Sequence, residues 1–201
     1  MDLFSPDPAA NLLPCDGTVH YCGRILCLDQ AWRFYNALLE KVPWKHDELV
    51  LFGKHIVTAR EVAWYGDVNF RYAYSGTTKE ALAWNEELRA LKDLVEQRTT
   101  ATFNSCLLNL YHDGSEGMSW HSDDEKSLGR HATIASLSLG AERKFCLKHK
   151  RQPVTVGVIL EHGSLLVMKD ATQTNWLHSI PKSKRVLSPR INLTFRTMIK
   201  T

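Results

Sequence analysis

The sequence predicts an α+β protein. Its C-terminal half should be a sandwich or barrel of short strands, of which the double-sheet jelly roll is one form, with two helices packed outside. Three observations carry this. Seven strand-like runs crowd residues 103–198, each bounded by turn or charged residues. Two earlier segments, 28–42 and 77–97, instead repeat apolar residues at helical spacing. The chain has 201 residues, 44 % hydrophobic and 23 % charged, enough for a sizeable core. No internal repeat or low-complexity linker divides it. A single domain over 1–201 is expected, with an irregular arm at 1–18, an extension carrying the helices at 19–102 and a β core at 103–201.

The arm is rich in Pro, Asp and Gly. Its start, "MDLFSPDPAANLLPCDG", has no basic region before an apolar stretch, so no secretory signal is expected. No apolar run approaches the roughly 18–20 residues of a membrane span. The expected location is intracellular: cytoplasmic in a bacterium, nuclear in a eukaryote. The five cysteines are scattered without a C-x-x-C pair, which argues for reduced thiols, with Cys106 and Cys146 in the core. A monomer is the default expectation.

In "LDQAWRFYNALLEKV" the stripe Trp32, Tyr35, Leu38, Leu39, Val42 predicts the first helix, with Asp29 placed to cap it and Pro43 to end it. Residues 48–75 read as short strands and loops. "TTKEALAWNEELRALKDLVEQ" predicts the second helix, with Thr77 and Glu80 at capping-box spacing and a stripe of Trp84, Leu88, Leu91 and Val95. Strands are then expected at 103–111, 133–139, 143–149, 153–160, 164–169, 175–180 and 190–198. The net charge of +3 does not demand a polyanionic partner. The basic segments "RKFCLKHKR" (143–151) and "KSKR" (182–185) read, by themselves, as solvated faces.

The last strand is unusual. Ile191, Leu193 and Phe195 take one face, so Arg190, Asn192, Thr194 and Arg196 share the other. That face looks either at solvent or into a cavity that holds an anion. Two guanidiniums in a closed barrel are destabilising unless anions meet them. "MSWHSDDEKS" places His121 and Asp123 two apart, on one side of an extended segment, and His178 in "NWLHSIP" supplies a third ligand. Two imidazoles and one carboxylate suit Fe(II) with open positions for O2 chemistry, and Zn(II) is the rival. Arg190 follows His178 by twelve residues, room for a turn and an antiparallel return. A dicarboxylate cosubstrate on the iron would supply the missing anion, because a guanidinium grips a carboxylate through two parallel hydrogen bonds. Asn109 and Tyr111 in "LLNLYHDG" could add polar groups from a neighbouring strand. Of the other histidines, His131 is the strongest decoy and is expected in a loop.

The H-x-D pair, the distal His178 and R-x-N-x-T-x-R (190–196) together resemble the AlkB-type Fe(II)/2-oxoglutarate dioxygenases. "NLYHDG" and "HSDDE" resemble the duplex-DNA-repair members, and the likeness runs from about residue 48 to 198. The resemblance implies a double-stranded β-helix core with a nucleotide-recognition lid. It implies Fe(II) on His121, Asp123 and His178, and 2-oxoglutarate held by Asn109, Tyr111, Arg190, Thr194 and Arg196. It also implies oxidative demethylation of N1-methyladenine and N3-methylcytosine in alkylated DNA, duplex or single-stranded. O2 and 2-oxoglutarate would give succinate, CO2 and formaldehyde. RNA or protein as substrate, and a non-catalytic zinc protein that binds nucleic acid, stay open as alternatives.

For substrate, Asp124 and Glu125 would attract a cationic base. "LVLFGKH" resembles an apolar finger in which Phe52, beside Gly53 and Lys54, fills the gap left by a flipped base. "RYAYSG" resembles a lid strand with Tyr72 and Tyr74 lining the pocket. Arg60, Lys184 and Arg185 would meet phosphates. Ser183 interrupts the cationic run that those homologues carry, and the connection at Lys150–Pro153 is shorter than theirs.

Overall fold

The computed structural model describes residues 7–51, 54–67, 71–74 and 77–199, with side chains at 49–51, 54, 71–74 and 77–79 outside that description. Strand β1 (Thr18–Arg24) leads into α1 (Leu28–Lys41). Then come β2 (Lys45–Leu51), β3 (Lys54–Gly66), β4 (Arg71–Tyr74), β5 (Thr77–Glu80) and β6 (Leu82–Ala83), followed by α2 (Glu86–Thr99). The remaining strands are β7 (Ser105–Tyr111), β8 (Met118–His121), β9 (Ile134–Gly140), β10 (Arg143–His149), β11 (Thr155–Leu160), β12 (Ser164–Lys169), β13 (Trp176–Ile180) and β14 (Arg190–Arg196). The short helix α3 (Thr172–Asn175) joins β12 to β13.

Two sheets face each other. The larger runs β1-β12-β9-β14-β7-β3-β2, with β6 beside β3, and the smaller runs β11-β10-β13-β8. From β7 onward the chain crosses repeatedly between them, the logic of a jelly roll. β4 and β5 form a hairpin of their own. The core has two layers. Ile191, Leu193 and Phe195 of β14 pack outward with Tyr35 and Leu38 of α1 and Leu88, Leu91 and Val95 of α2. Between the sheets, Ile134, Leu166 and Met168 meet Phe145, Leu147, Trp176 and Ile180. Both helices therefore lie on one outer face, and the polar side of β14 looks inward.

Some expectations are corrected. Cys27, not Asp29, is the N-cap of α1, with the Gln30 side chain accepting from its N–H; Asp29 sits in the first turn, where a carboxylate meets the positive end of the helix. Helix α2 begins nine residues later than its pattern suggested. Asn85 caps it by accepting from Leu88 N–H at 2.8 Å. Thr77 and Glu80 stand in β5 instead, a placement that suits β-branched Thr77 and Thr78. Strands β1 and β8 were not anticipated. The described part of the arm is tied down: Leu13 is buried, and Trp176 Nε1 and Asn175 Nδ2 donate to the carbonyls of Cys15 and Asp16, both at 3.1 Å.

Candidate metal centre and anion pocket

Strand pairing brings His121 and His178 opposite each other across β8 and β13. Their ring centroids lie 4.2 Å apart. Asp123 reaches between them, with Oδ1 3.6 Å from His121 Nε2 and 3.8 Å from His178 Nε2. Ligand atoms of all three residues fall within 4.8 Å of one another. The carbonyl of Ser119 can only accept, so His121 Nδ1–H donates to it at 2.8 Å, which leaves the Nε2 lone pair for a metal. Burial, with the nearby His121 and Lys150, pushes the His178 imidazole down to about 4, against the pull of Asp123. At neutral pH it is therefore uncharged, the form that ligates.

A second cluster of Cys15, Asp16 and His149 has comparable proximity. There His149 Nδ1 accepts from the N–H groups of Arg151 and Gln152, so Nε2 carries the proton and donates to Asp16 at 3.2 Å. That ring is a clasp on the arm.

The inward side of β14 forms the wall beside the three ligands. Register pairs Arg190 with Tyr111 and Gly140, and Asn192 with Asn109 and Ser138. Arg190 is 1 % exposed. Its Nη2 donates to Asn192 Oδ1 at 2.6 Å and to Ser138 Oγ at 2.9 Å, and its guanidinium carbon lies 5.5 Å from the centroid of the Tyr111 ring. Asn192 organises its neighbours, taking a second hydrogen bond from Ser136 Oγ and donating to Thr194 Oγ1, both at 2.9 Å. Arg190 Nε and Nη1 and Arg196 Nε have no hydrogen-bond partner among the described residues. Burial pushes the Arg190 guanidinium down to about 10, still charged at neutral pH. A buried cation with two unsatisfied donor nitrogens calls for an anion. A dicarboxylate fits that donor set, since one end can accept from the free Arg190 donors while the other reaches the metal.

The cavity measures about 480 Å³, and Asn109, Tyr111, Arg190, Thr194 and Arg196 all line it with the three ligands. Arg196 bridges acids, with Nη1 3.7 Å from Asp123 Oδ2 and 3.7 Å from Glu125 Oε1. Burial pushes the Glu125 carboxyl up, against the opposing pull of Arg196, while Asp123 adds to the rise. Glu125 thus belongs to the cavity wall. Asp124 is exposed and accepts instead from Ser122 Oγ at 3.3 Å.

Arg60 requires a correction. It lines the cavity rather than an outward phosphate-facing surface, because β3 pairs directly with β7. Its Nε donates to Asn109 Oδ1 at 3.0 Å, and its Nη2 lies 3.5 Å from Asp47 Oδ2. The bond to Oδ1 turns the Asn109 NH2 group away from Arg60. Lys184 and Arg185 are exposed, on the loop between β13 and β14. Phe52 and Gly53 lie outside the described residues. For Lys54, Tyr72 and Tyr74 only the strand backbone is described, in β3 and β4. His131 is an exposed loop residue. Ser136 and Ser138 were missed, although "ASLSLG" alternates small polar and apolar residues much as β14 does.

Comparison with known proteins places this geometry. The family model of the 2OG-Fe(II) oxygenase superfamily matches residues 19–196. The chain is 40 % identical over 216 residues to mouse "DNA oxidative demethylase ALKBH2", covering 100 % of this chain and 87 % of that protein. It is 43 % identical over 171 residues to human "Alpha-ketoglutarate-dependent dioxygenase alkB homolog 3", covering 80 % of this chain and 59 % of that protein's length. A solved structure, "The structure of OsALKBH1", has a TM-score of 0.63 at 15 % identity and covers 92 % of this chain and 99 % of its own, a likeness of fold alone. With the His–Asp–His cluster and the arginine-lined wall inside the matched region, the chain belongs to the AlkB-type branch of the 2OG-Fe(II) oxygenase superfamily, the oxygenases of Fe(II) and 2-oxoglutarate.

Proposed function

We propose that this chain removes N-methyl groups from alkylated bases in DNA, N1-methyladenine and N3-methylcytosine, by oxidation. His121, Asp123 and His178 hold the Fe(II). Arg190 takes the far carboxylate of 2-oxoglutarate, with Tyr111 beneath its guanidinium and Asn109, Thr194 and Arg196 completing the pocket. Bound Fe(II) with 2-oxoglutarate supplies the O2 chemistry, one oxygen atom ending in succinate as CO2 leaves and the other on the methyl carbon, which departs as formaldehyde. The protein's share is orientation and exclusion of water. Buried Arg190 fixes the cosubstrate, and the two facing sheets flank the site.

The observation that carries the substrate class is Glu125 in the cavity wall, beside the metal ligands. A methylated base of this kind is a cation, and its arrival would favour the carboxylate form of Glu125. A duplex does not fit into a cavity of about 480 Å³, so the base must leave its stack to enter. The identity to a protein named a DNA oxidative demethylase supports the same reading. The unsatisfied arginine donors argue against a plain zinc protein.

The test is formaldehyde release across oligonucleotides carrying N3-methylcytosine or N1-methyladenine, offered as single-stranded DNA, duplex DNA and RNA. Formaldehyde in step with succinate on DNA is expected. Succinate without formaldehyde on every oligonucleotide would contradict the substrate class, and release from RNA alone would move the substrate to RNA. Phe52→Ala should impair duplex turnover more than single-strand turnover if that side chain fills the gap of a flipped base.

A further inference from the structure

Two of the three candidate ligands are fixed by strand pairing, because His121 and His178 are register partners. Asp123 has no such support. Residues 122–125 belong to no strand, so side chains must hold the backbone that carries its carboxylate. The Asp123 N–H donates to Gln173 Oε1 at 2.9 Å. Gln173 stands on α3 and is 8 % exposed. Its Nε2 lies 3.4 Å from Met168 Sδ, so the amide is oriented with its oxygen toward Asp123 and its nitrogen toward the thioether. A flipped amide would set donor against donor at Asp123. Lys150 makes a second clasp on the same segment, Nζ donating to Ser122 Oγ at 3.1 Å and to the Gln173 carbonyl at 2.9 Å.

We propose that Gln173 is a positioning residue for Asp123 that, together with Lys150, sets the affinity of the metal site without touching the metal. The inference rests on His121, Asp123 and His178 being the ligands. The physical reason is reach. A carboxylate on unpaired backbone wanders unless something fixes its main chain, and each misplaced conformer lowers the fraction of chains with a closed site. Groups that orient ligands in this way typically change metal affinity by about 10–100-fold when removed.

The test uses the full chain and Co(II) alone, titrated through its ligand-field absorption, with apo thermal stability measured in parallel. Gln173→Met keeps the volume but offers no comparable acceptor. Gln173→Glu keeps an oxygen at the same reach. Co(II) binding should weaken about 10-fold or more in Gln173→Met, by the range given for such groups, and recover in Gln173→Glu. Equal binding by Gln173→Met and wild type would overturn the proposal, as would equal weakening in both variants, which would mean packing alone. Should Gln173→Met fail to fold, exposed Lys150→Met carries the test. Weaker Co(II) binding there supports the clasp, and unchanged binding overturns it. The ligand assignment is checked separately: if His121→Ala binds Co(II) as wild type does, that reading falls whatever Gln173 does.

Discussion

Replacing Arg190 with Met should produce two effects of opposite sign. The guanidinium is buried, has no carboxylate within reach among the described residues, and leaves Nε and Nη1 unsatisfied. Without cosubstrate it is a desolvated charge held by neutral partners, Ser138 Oγ and Asn192 Oδ1. Met removes the charge and leaves Asn192 Oδ1 still bonded to Ser136. Apo stability should therefore hold or rise, because an apolar side chain in place of a buried ion is often neutral or stabilising. Binding of 2-oxoglutarate loses the charge-assisted hydrogen bonds offered by Nε and Nη1. At ~1.5–3 kcal/mol per such bond, two bonds contribute ~3–6 kcal/mol, or on the order of 10²–10⁴-fold in affinity. The assay is anaerobic quenching of tryptophan fluorescence by 2-oxoglutarate with Mn(II) present, beside thermal scans with and without cosubstrate. Wild type should gain stability from 2-oxoglutarate, and the variant should gain almost none at the same concentration. Affinity within threefold of wild type, or an apo protein destabilised by several kcal/mol, would refute the assignment of Arg190 as an anion-gripping group.

Other consequences can be checked directly. His178 has a folded-state value of about 4 against an unfolded value near 6.5, so the unfolded chain binds more protons between those limits. Its stabilising contribution to the apo protein is complete above about pH 6.5 and is lost as pH falls toward 4, by ~3 kcal/mol. Urea unfolding at several pH values should show a flatter profile in His178→Asn, and an equal slope in both proteins would remove the argument. Gly114 sits where a Cβ would run into the Ser183 carbonyl, and its own N–H and C=O bond to Val186 and Ser183. Gly114→Ala should cost ~1–3 kcal/mol as overpacking, read as a fall of several degrees in Tm, so an unchanged Tm would mean that the loop moves aside freely. Arg60→Met should raise the 2-oxoglutarate requirement several-fold through Asn109, and do so no further once Asn109→Ala is present. The slope of DNA affinity against salt should not change, and a slope reduced by about one would restore Arg60 as a phosphate contact.

Much of this site can be read in the sequence because strand alternation states both faces at once. Ile191, Leu193 and Phe195 announce a packed face, and the four polar residues between them announce a second face that needs a reason. His121, Asp123 and His178 were legible because metal ligation restricts residue type so tightly. What stayed hidden depends on the third dimension. Arg60 looks like a surface cation until β3 is seen to pair with β7, which sets it against Asn109. Gln173 is an ordinary amide in a four-residue helix until its oxygen meets the Asp123 N–H. Strand β8 has only four residues, too few for periodicity to speak. Helix α2 shows local signals in competition: Thr77 and Glu80 have the spacing of a capping box, yet pairing with β4 claims them and leaves the cap to Asn85.

The most direct test is absorption under anaerobic conditions. Fe(II) and 2-oxoglutarate added together should produce a metal-to-ligand charge-transfer band that neither produces alone. His121→Ala and His178→Ala should abolish it, and Arg190→Met should displace it to far higher 2-oxoglutarate concentration. A band that survives loss of either histidine, or one that ignores Arg190, would mean that the iron and the keto acid meet somewhere else.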